Sequence, residues 1–181
     1  MSHYAVLVIG EKVEKQLAPY QENNLENCPK EFLTFYNAEK EEKEYYNSQS
    51  HKDFLEKYPT LQDYLKDNYK LDEETDLYGY WENFNSRWDW YEIGGRWSNT
   101  IQLKTGEGTN SANLKNIDTT SILDFQHVLK DGVWYESGKV GCWGSTSAAD
   151  EDKTKFSQTF YDKFIKDLPS DTLLTVVDCH V

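Results

Sequence analysis

Two stretches of this chain carry apolar residues on consecutive positions rather than only at alternate ones. Tyr4-Ala5-Val6-Leu7-Val8-Ile9 is rich in β-branched residues and ends at Gly10, and Leu173-Leu174-Thr175-Val176-Val177-Asp178-Cys179-His180-Val181 has the same character. A strand covered on both faces reads this way because neither side meets water. The pattern therefore predicts two central strands, the first and the last, paired with each other in one sheet. Such a pairing ties down both ends and predicts a single domain over residues 1–181.

The polar stretches between them carry helical spacing. Glu39–Tyr46 and His51–Asn68 are charged and helix-prone, with Pro59 dividing the second stretch. Phe54 and Tyr58, then Leu61, Tyr64 and Leu65, give each piece one apolar face. Residues 37–76 are thus predicted as an acidic helical segment packing on a sheet with its outer faces solvated. Trp97–Leu103 predicts a strand, Thr105–Asn113 a loop, and His127–Tyr135 a hairpin turning at Asp131-Gly132. Gly141-Cys142-Trp143-Gly144-Ser145 reads as a glycine-flanked loop. Phe156, Phe160, Phe164 and Leu168 recur four apart, so Asp150–Leu168 predicts an amphipathic helix stopped by Pro169. The fold class that follows is α+β: a mostly antiparallel sheet with the first and last strands central and helices packed on it.

Charge narrows the partners. A net charge of −13 disfavours nucleic acid or an anionic membrane as a broad contact surface, since phosphate binding relies on basic residues. One small anionic ligand in a local pocket is compatible with it, as is an acidic face meeting a basic protein surface. The apolar run Ala5–Ile9 has no basic leader and is too short for a signal peptide, and no stretch is long enough to span a bilayer. Three cysteines, Cys28, Cys142 and Cys179, are an odd and sparse set, which points to reducing cytoplasm rather than a disulfide framework.

Candidate chemistry concentrates in Trp81–Trp97, which holds both arginines of the chain, Arg87 and Arg96, and four of its six tryptophans. Guanidinium groups fork onto carboxylate or phosphate and stack on rings. As a strand, this stretch puts Trp88 and Trp90 on one face and Asp89 and Tyr91 on the other. In the ligand-binding reading, Trp88, Trp90, Tyr91 and Trp97 wall a pocket for a planar ligand. Arg96 and Arg87 then clamp its anion, and Gly94-Gly95 allows close backbone approach. In the structural reading, the tryptophans fill the core and Arg96 pairs with Asp89 or Glu92.

A second candidate lies in the last strand. Alternation puts Asp178 and His180 on one face and Cys179 on the other, so Asp178 orients His180 for general base work. Antiparallel pairing of the first and last strands brings His3 to the His180 end as an acid–base partner. Cys142, Cys179, His180 and His3 are weighed as zinc ligands, but no metal-binding spacing supports them, and no metal or other cofactor is expected.

The ordered blocks resemble a protein family widespread in tailed bacteriophages and prophages. Tyr4–Gly10 followed by Gln16-Leu17-Ala18-Pro19-Tyr20 is similar to its opening block. Trp88–Trp97 and Leu129-Lys130-Asp131-Gly132 with Trp134-Tyr135 are similar to its middle blocks, and Leu168–His180 to its closing one. The resemblance implies a phage-encoded accessory protein of the host bacterial cytoplasm, and it carries no catalytic residues over. Combined with the aromatic–arginine chemistry, it points to antagonism of host defence by sequestering a small nucleotide-like ligand. The alternatives are a metal-independent phosphodiesterase or nucleotide hydrolase using His180, and an acidic inhibitor of a host defence protein such as a nuclease. A homo-oligomer sharing its pocket between symmetric copies stays open.

Overall fold

The computed structural model describes residues 2–138 and 150–181, so the Gly141–Ser145 loop, with Cys142, lies outside the described residues. In chain order the strands are β1 (His3–Ile9), β2 (Thr34–Asn37), β3 (Lys70–Asp72), β4 (Leu77–Glu82), β5 (Trp90–Ile93) and β6 (Ile101–Gln102). They continue as β7 (Gly108–Thr109), β8 (Ser111–Asn113), β9 (His127–Lys130), β10 (Val133–Glu136) and β11 (Leu173–His180). The helices are α1 (Val13–Leu17), α2 (Ala38–Glu41), α3 (Lys43–Ser48), α4 (Lys52–Lys57), α5 (Leu61–Asn68) and α6 (Asp150–Phe160). The architecture is α+β, with two compact units: Met1–Asn24 with Asn85–Val181, and Leu25–Phe84.

The first unit is built on a six-stranded sheet in the order β10-β9-β1-β11-β5, with β8 also pairing β11. The two apolar runs are its centre, as their pattern predicts. They pair antiparallel with Ala5 opposite Asp178 and His3 opposite His180. The sheet is mixed rather than wholly antiparallel, because β1 runs parallel to β9. Asp131 and Gly132 both take positive φ, 53° and 74°, and turn β9 into β10 as a two-residue hairpin of the primed kind.

Alternation along β1 divides its side chains between two cores. Tyr4, Val6 and Val8 pack with Leu17, Trp88, Val177 and Cys179. Leu7 and Ile9 pack on the other side with Val128, Val176, Phe160 and Phe164. Burying each such side chain contributes roughly 1.5–3 kcal/mol, so a strand apolar on both faces is held from both sides. Helix α6 supplies the second core with Phe156 and Phe160, and the π-helical turn Tyr161–Ile165, which extends it toward Pro169, adds Phe164 and Ile165. The single strand expected over Trp97–Leu103 is instead a 3-10 turn, Gly95–Trp97, followed by the two residues of β6. The stretch Thr105–Asn113, expected as a loop, contains β7 and β8.

The second unit holds the acidic helices, α2 to α5, in the stretches that the sequence predicts, with Pro59 between α4 and α5. Thr60 and Asp63 cap α5 reciprocally. Tyr46, Phe54, Tyr58 and Tyr64 meet as a ring cluster on their shared face. This unit also has a three-stranded sheet of its own, β2-β4-β3, where the sequence reading has helices alone. Its strands are short and half polar, so they lack the apolar run that marks β1 and β11.

Candidate functional site

One end of the central strand pair gathers four ionisable side chains. Because His3 faces His180 across the β1–β11 ladder, their rings lie 4.9 Å apart, edge to face at 75°. Each imidazole has its own carboxylate. His3 Nδ1 is 2.8 Å from Asp178 Oδ1, and His180 Nδ1 is 2.6 Å from Asp89 Oδ1. A carboxylate only accepts, so the proton sits on Nδ1 in both rings and Nε2 is the nitrogen left for chemistry. The side chains of His3, Asp178 and His180 are 8%, 2% and 7% exposed, which fixes them in place.

The partners are exchanged relative to the sequence expectation. Asp178 holds His3, not His180, although alternation does put Asp178 and His180 on one face. The reason is the neighbouring strand: β5 pairs β11 with Trp90 opposite His180 and Glu92 opposite Asp178. That register brings Asp89, the residue just before β5, onto the His180 ring. Asp89 is the member of the site that the sequence reading did not assign to catalysis. Its signal was its place beside Trp90, which gains meaning only through the β5–β11 register.

The Gly94-Gly95 step braces the first pair. Gly95 has φ +48°, and a Cβ there would lie 2.5 Å from Asp178 Oδ2. The bare backbone lets the Arg96 N–H donate to that oxygen at 3.0 Å. Asp178 is thereby satisfied on both oxygens, one by an imidazole and one by the main chain. Trp90 covers the second pair, stacking on His180 at 5.1 Å and 18° and meeting His3 edge-on at 5.3 Å.

The aromatic–arginine residues do not assemble into one pocket. Trp88 and Trp90 do not share a face, because the strand starts only at Trp90. Trp88 is buried on the Tyr4 side, where its indole N–H donates to Leu17 O at 3.0 Å and its ring meets Tyr91 at 5.1 Å. Arg87 donates to the carbonyls of Ser86 and Asn85 and has Nε 3.7 Å from Glu136 Oε2. The Tyr4 hydroxyl donates to the Arg87 carbonyl, and burial pushes that phenol well above its ordinary range. Trp90, Gly94, Gly95, Arg96 and Trp97 gather instead around the Asp178 end. Arg96 is exposed, and its guanidinium has no hydrogen-bond or ion-pair partner among the described residues, neither Asp89 nor Glu92.

A cavity of about 410 Å³ opens against His3. Ala5, Trp97 and Phe125 give it apolar wall, and Thr100, Ser121, Asp124, Gln126 and His127 give it polar wall. This volume is in the range of pockets for small organic ligands. No motif marks the Ser121–His127 side, and the sequence reading passed over it. His127 is 5% exposed, and burial pushes its imidazole down to about 4. Of the zinc candidates, His3 and His180 meet, Cys142 lies outside the described residues, and Cys179 faces the core on the opposite side, where burial pushes its thiol far up. Among the described residues, no three His, Cys, Asp or Glu side chains are grouped to hold a metal ion. No helix is long and apolar enough to cross a membrane among the described residues. No protein-family model, curated protein or solved structure matches the chain, and the chemistry of the site rests on its own geometry.

Proposed function

We propose that the paired Asp–His couples form an acid–base site that cleaves a phosphoester bond in a small nucleotide-like ligand. The observation that carries this is the contact of two imidazoles, each fixed at Nδ1 by its own carboxylate. Phosphoester hydrolysis needs one proton removed from the attacking oxygen and one delivered to the leaving oxygen. Two oriented imidazoles supply both transfers, each typically worth 10²–10⁴-fold. His3, which lines the cavity, takes the proton from water as the new P–O bond forms. His180 gives its Nε2 proton to the leaving oxygen as the old P–O bond breaks. Asp178 and Asp89 hold the rings and balance the charge that forms on them. In a phage-encoded protein this activity removes a nucleotide signal of host defence.

Arg96 favours a second reading, sequestration without cleavage. Its guanidinium is exposed and unpartnered while its own N–H is anchored on Asp178, so an anion is held beside the site without disturbing the fold. The test is incubation of the protein with cyclic nucleotides and dinucleotides, followed by mass analysis of the recovered ligand. Cleaved product that falls at least 100-fold in His3→Gln and in His180→Gln, with the thermal midpoint monitored, supports the acid–base site. Ligand recovered intact, with affinity lost in Arg96→Ala, overturns it in favour of sequestration.

A further inference from the structure

Asp89 reaches His180 from outside the strand pair that carries the two histidines. It closes the segment Arg87-Trp88-Asp89, which changes faces just before β5 begins: Trp88 lies in the Tyr4 core, and the Asp89 carboxylate lies on the His180 ring. Main-chain bonds tie this segment to the stretch after α1. The Arg87 N–H donates to Tyr20 O at 2.7 Å, and Trp88 O accepts from the Glu22 N–H at 2.7 Å. Toward the strand pair, the Asp89 N–H donates to His180 O at 3.1 Å. A side chain adds a further tie on that side, because the Tyr4 hydroxyl donates to Arg87 O. Tyr4 follows His3 in β1 and stands opposite Cys179, the neighbour of His180. Its ring is 5% exposed and packs 4.7 Å from the His127 ring and 6.3 Å from Trp134, which fixes where the hydroxyl sits.

The two carboxylates therefore depend on different supports. Asp178 belongs to β11 itself, so the β1–β11 register alone sets it against His3. Asp89 depends on how its segment is placed, and its Oδ1 is shared, accepting the Trp90 N–H at 2.8 Å while lying 2.6 Å from His180 Nδ1. A displacement of about 1 Å in a catalytic group can cost about 10²-fold in rate, so a small shift of this segment matters. We infer that Tyr4 is a positioning residue of the site: through the Arg87 carbonyl its hydroxyl holds Asp89 on His180. The inference rests on the phosphoester reading for what that pair does in turnover.

Solvent exchange of the imidazole Nδ1 protons, followed by NMR on protein carrying isotope-labelled histidine, tests the link without a substrate. In Tyr4→Phe the His180 proton is expected to exchange about tenfold faster or more, while the His3 proton stays within about twofold of the wild type. His3 is the internal control, since a protein that has merely loosened releases both protons. A para-fluorophenylalanine at Tyr4 keeps the length of the ring without a donor and serves where Tyr4→Phe fails to fold. A para-aminophenylalanine there returns an N–H donor and is expected to restore the wild-type rate. In turnover of cyclic dinucleotides, Tyr4→Phe is expected to lower kcat about tenfold with KM nearly unchanged, and to add nothing in an Asp89→Ala background. Unchanged His180 exchange, equal acceleration of both protons, or a full additional loss on Asp89→Ala overturns the inference. Selective release of the His180 proton in a protein without turnover defeats the phosphoester reading and leaves the Tyr4 link standing. Turnover that depends on His180 and not on Tyr4 does the reverse.

Discussion

His127 makes the stability of this fold depend on pH in a defined window. The ring is 5% exposed and lies 4.7 Å from the ring of Tyr4, where hydration of an imidazolium is lost. Its folded value of about 4 compares with about 6.5 for an ordinary histidine. Between those two values the unfolded chain binds a proton at this position and the folded chain does not. Acidification therefore favours unfolding: stability is full above about pH 6.5, declines as pH falls, and reaches its lower level below about pH 4. With roughly 1.4 kcal/mol per unit, the limiting loss is about 3.5 kcal/mol, of which about 3 kcal/mol is reached by pH 4. Carboxylates titrate in the same range, so the measured quantity is a difference between two proteins. Urea unfolding of the wild type and of His127→Phe, which keeps a ring against Tyr4 and cannot titrate, isolates the histidine. The wild type is expected to lose about 2–3 kcal/mol relative to the variant between pH 7.5 and pH 4. Parallel curves for the two proteins would refute the assignment of a buried, neutral His127.

Two further substitutions probe the supports of the site. Gly95→Ala puts a methyl group 2.5 Å from the Asp178 carboxylate at φ +48°, a strain of about 1–3 kcal/mol. Both the melting temperature and turnover are expected to fall; an unchanged melting temperature would show that Asp178 can move aside. Trp88→Phe leaves Leu17 O without its donor and is expected to cost about 2 kcal/mol in a denaturant titration. A neutral result there would mean that the carbonyl has found another partner, contrary to the buried setting of Trp88.

The sequence made the central strands legible because β1 and β11 are apolar on both faces, a pattern few other elements share. From their antiparallel pairing the meeting of His3 and His180 follows by counting residues. The carboxylate partners do not follow, because Asp89 reaches His180 only through the register of β5 on β11, a pairing between segments far apart in the chain. Trp88 was readable as aromatic but not as core, since its direction depends on where β5 begins. The Tyr78-Gly79-Tyr80-Trp81 stretch of β4 held β-forming residues, yet charged neighbours masked the small sheet to which it belongs. His127 was readable only as the start of a hairpin, and its burial against Tyr4 follows from the pairing of β9 with β1.

On the acid–base reading proposed above, the pairing of His3 with His180 ties activity to the completion of folding. The two imidazoles belong to strands separated by almost the whole chain, and neither has its neighbour until β11 docks between β1 and β5. Closing so long a loop is among the slower steps of folding. Catalysis is therefore expected to appear late and all at once during refolding, after most helical signal has returned. On the same reading, a nick that releases β11 is expected to abolish cleavage, and a synthetic strand carrying Leu173–His180, added in trans, is expected to restore it.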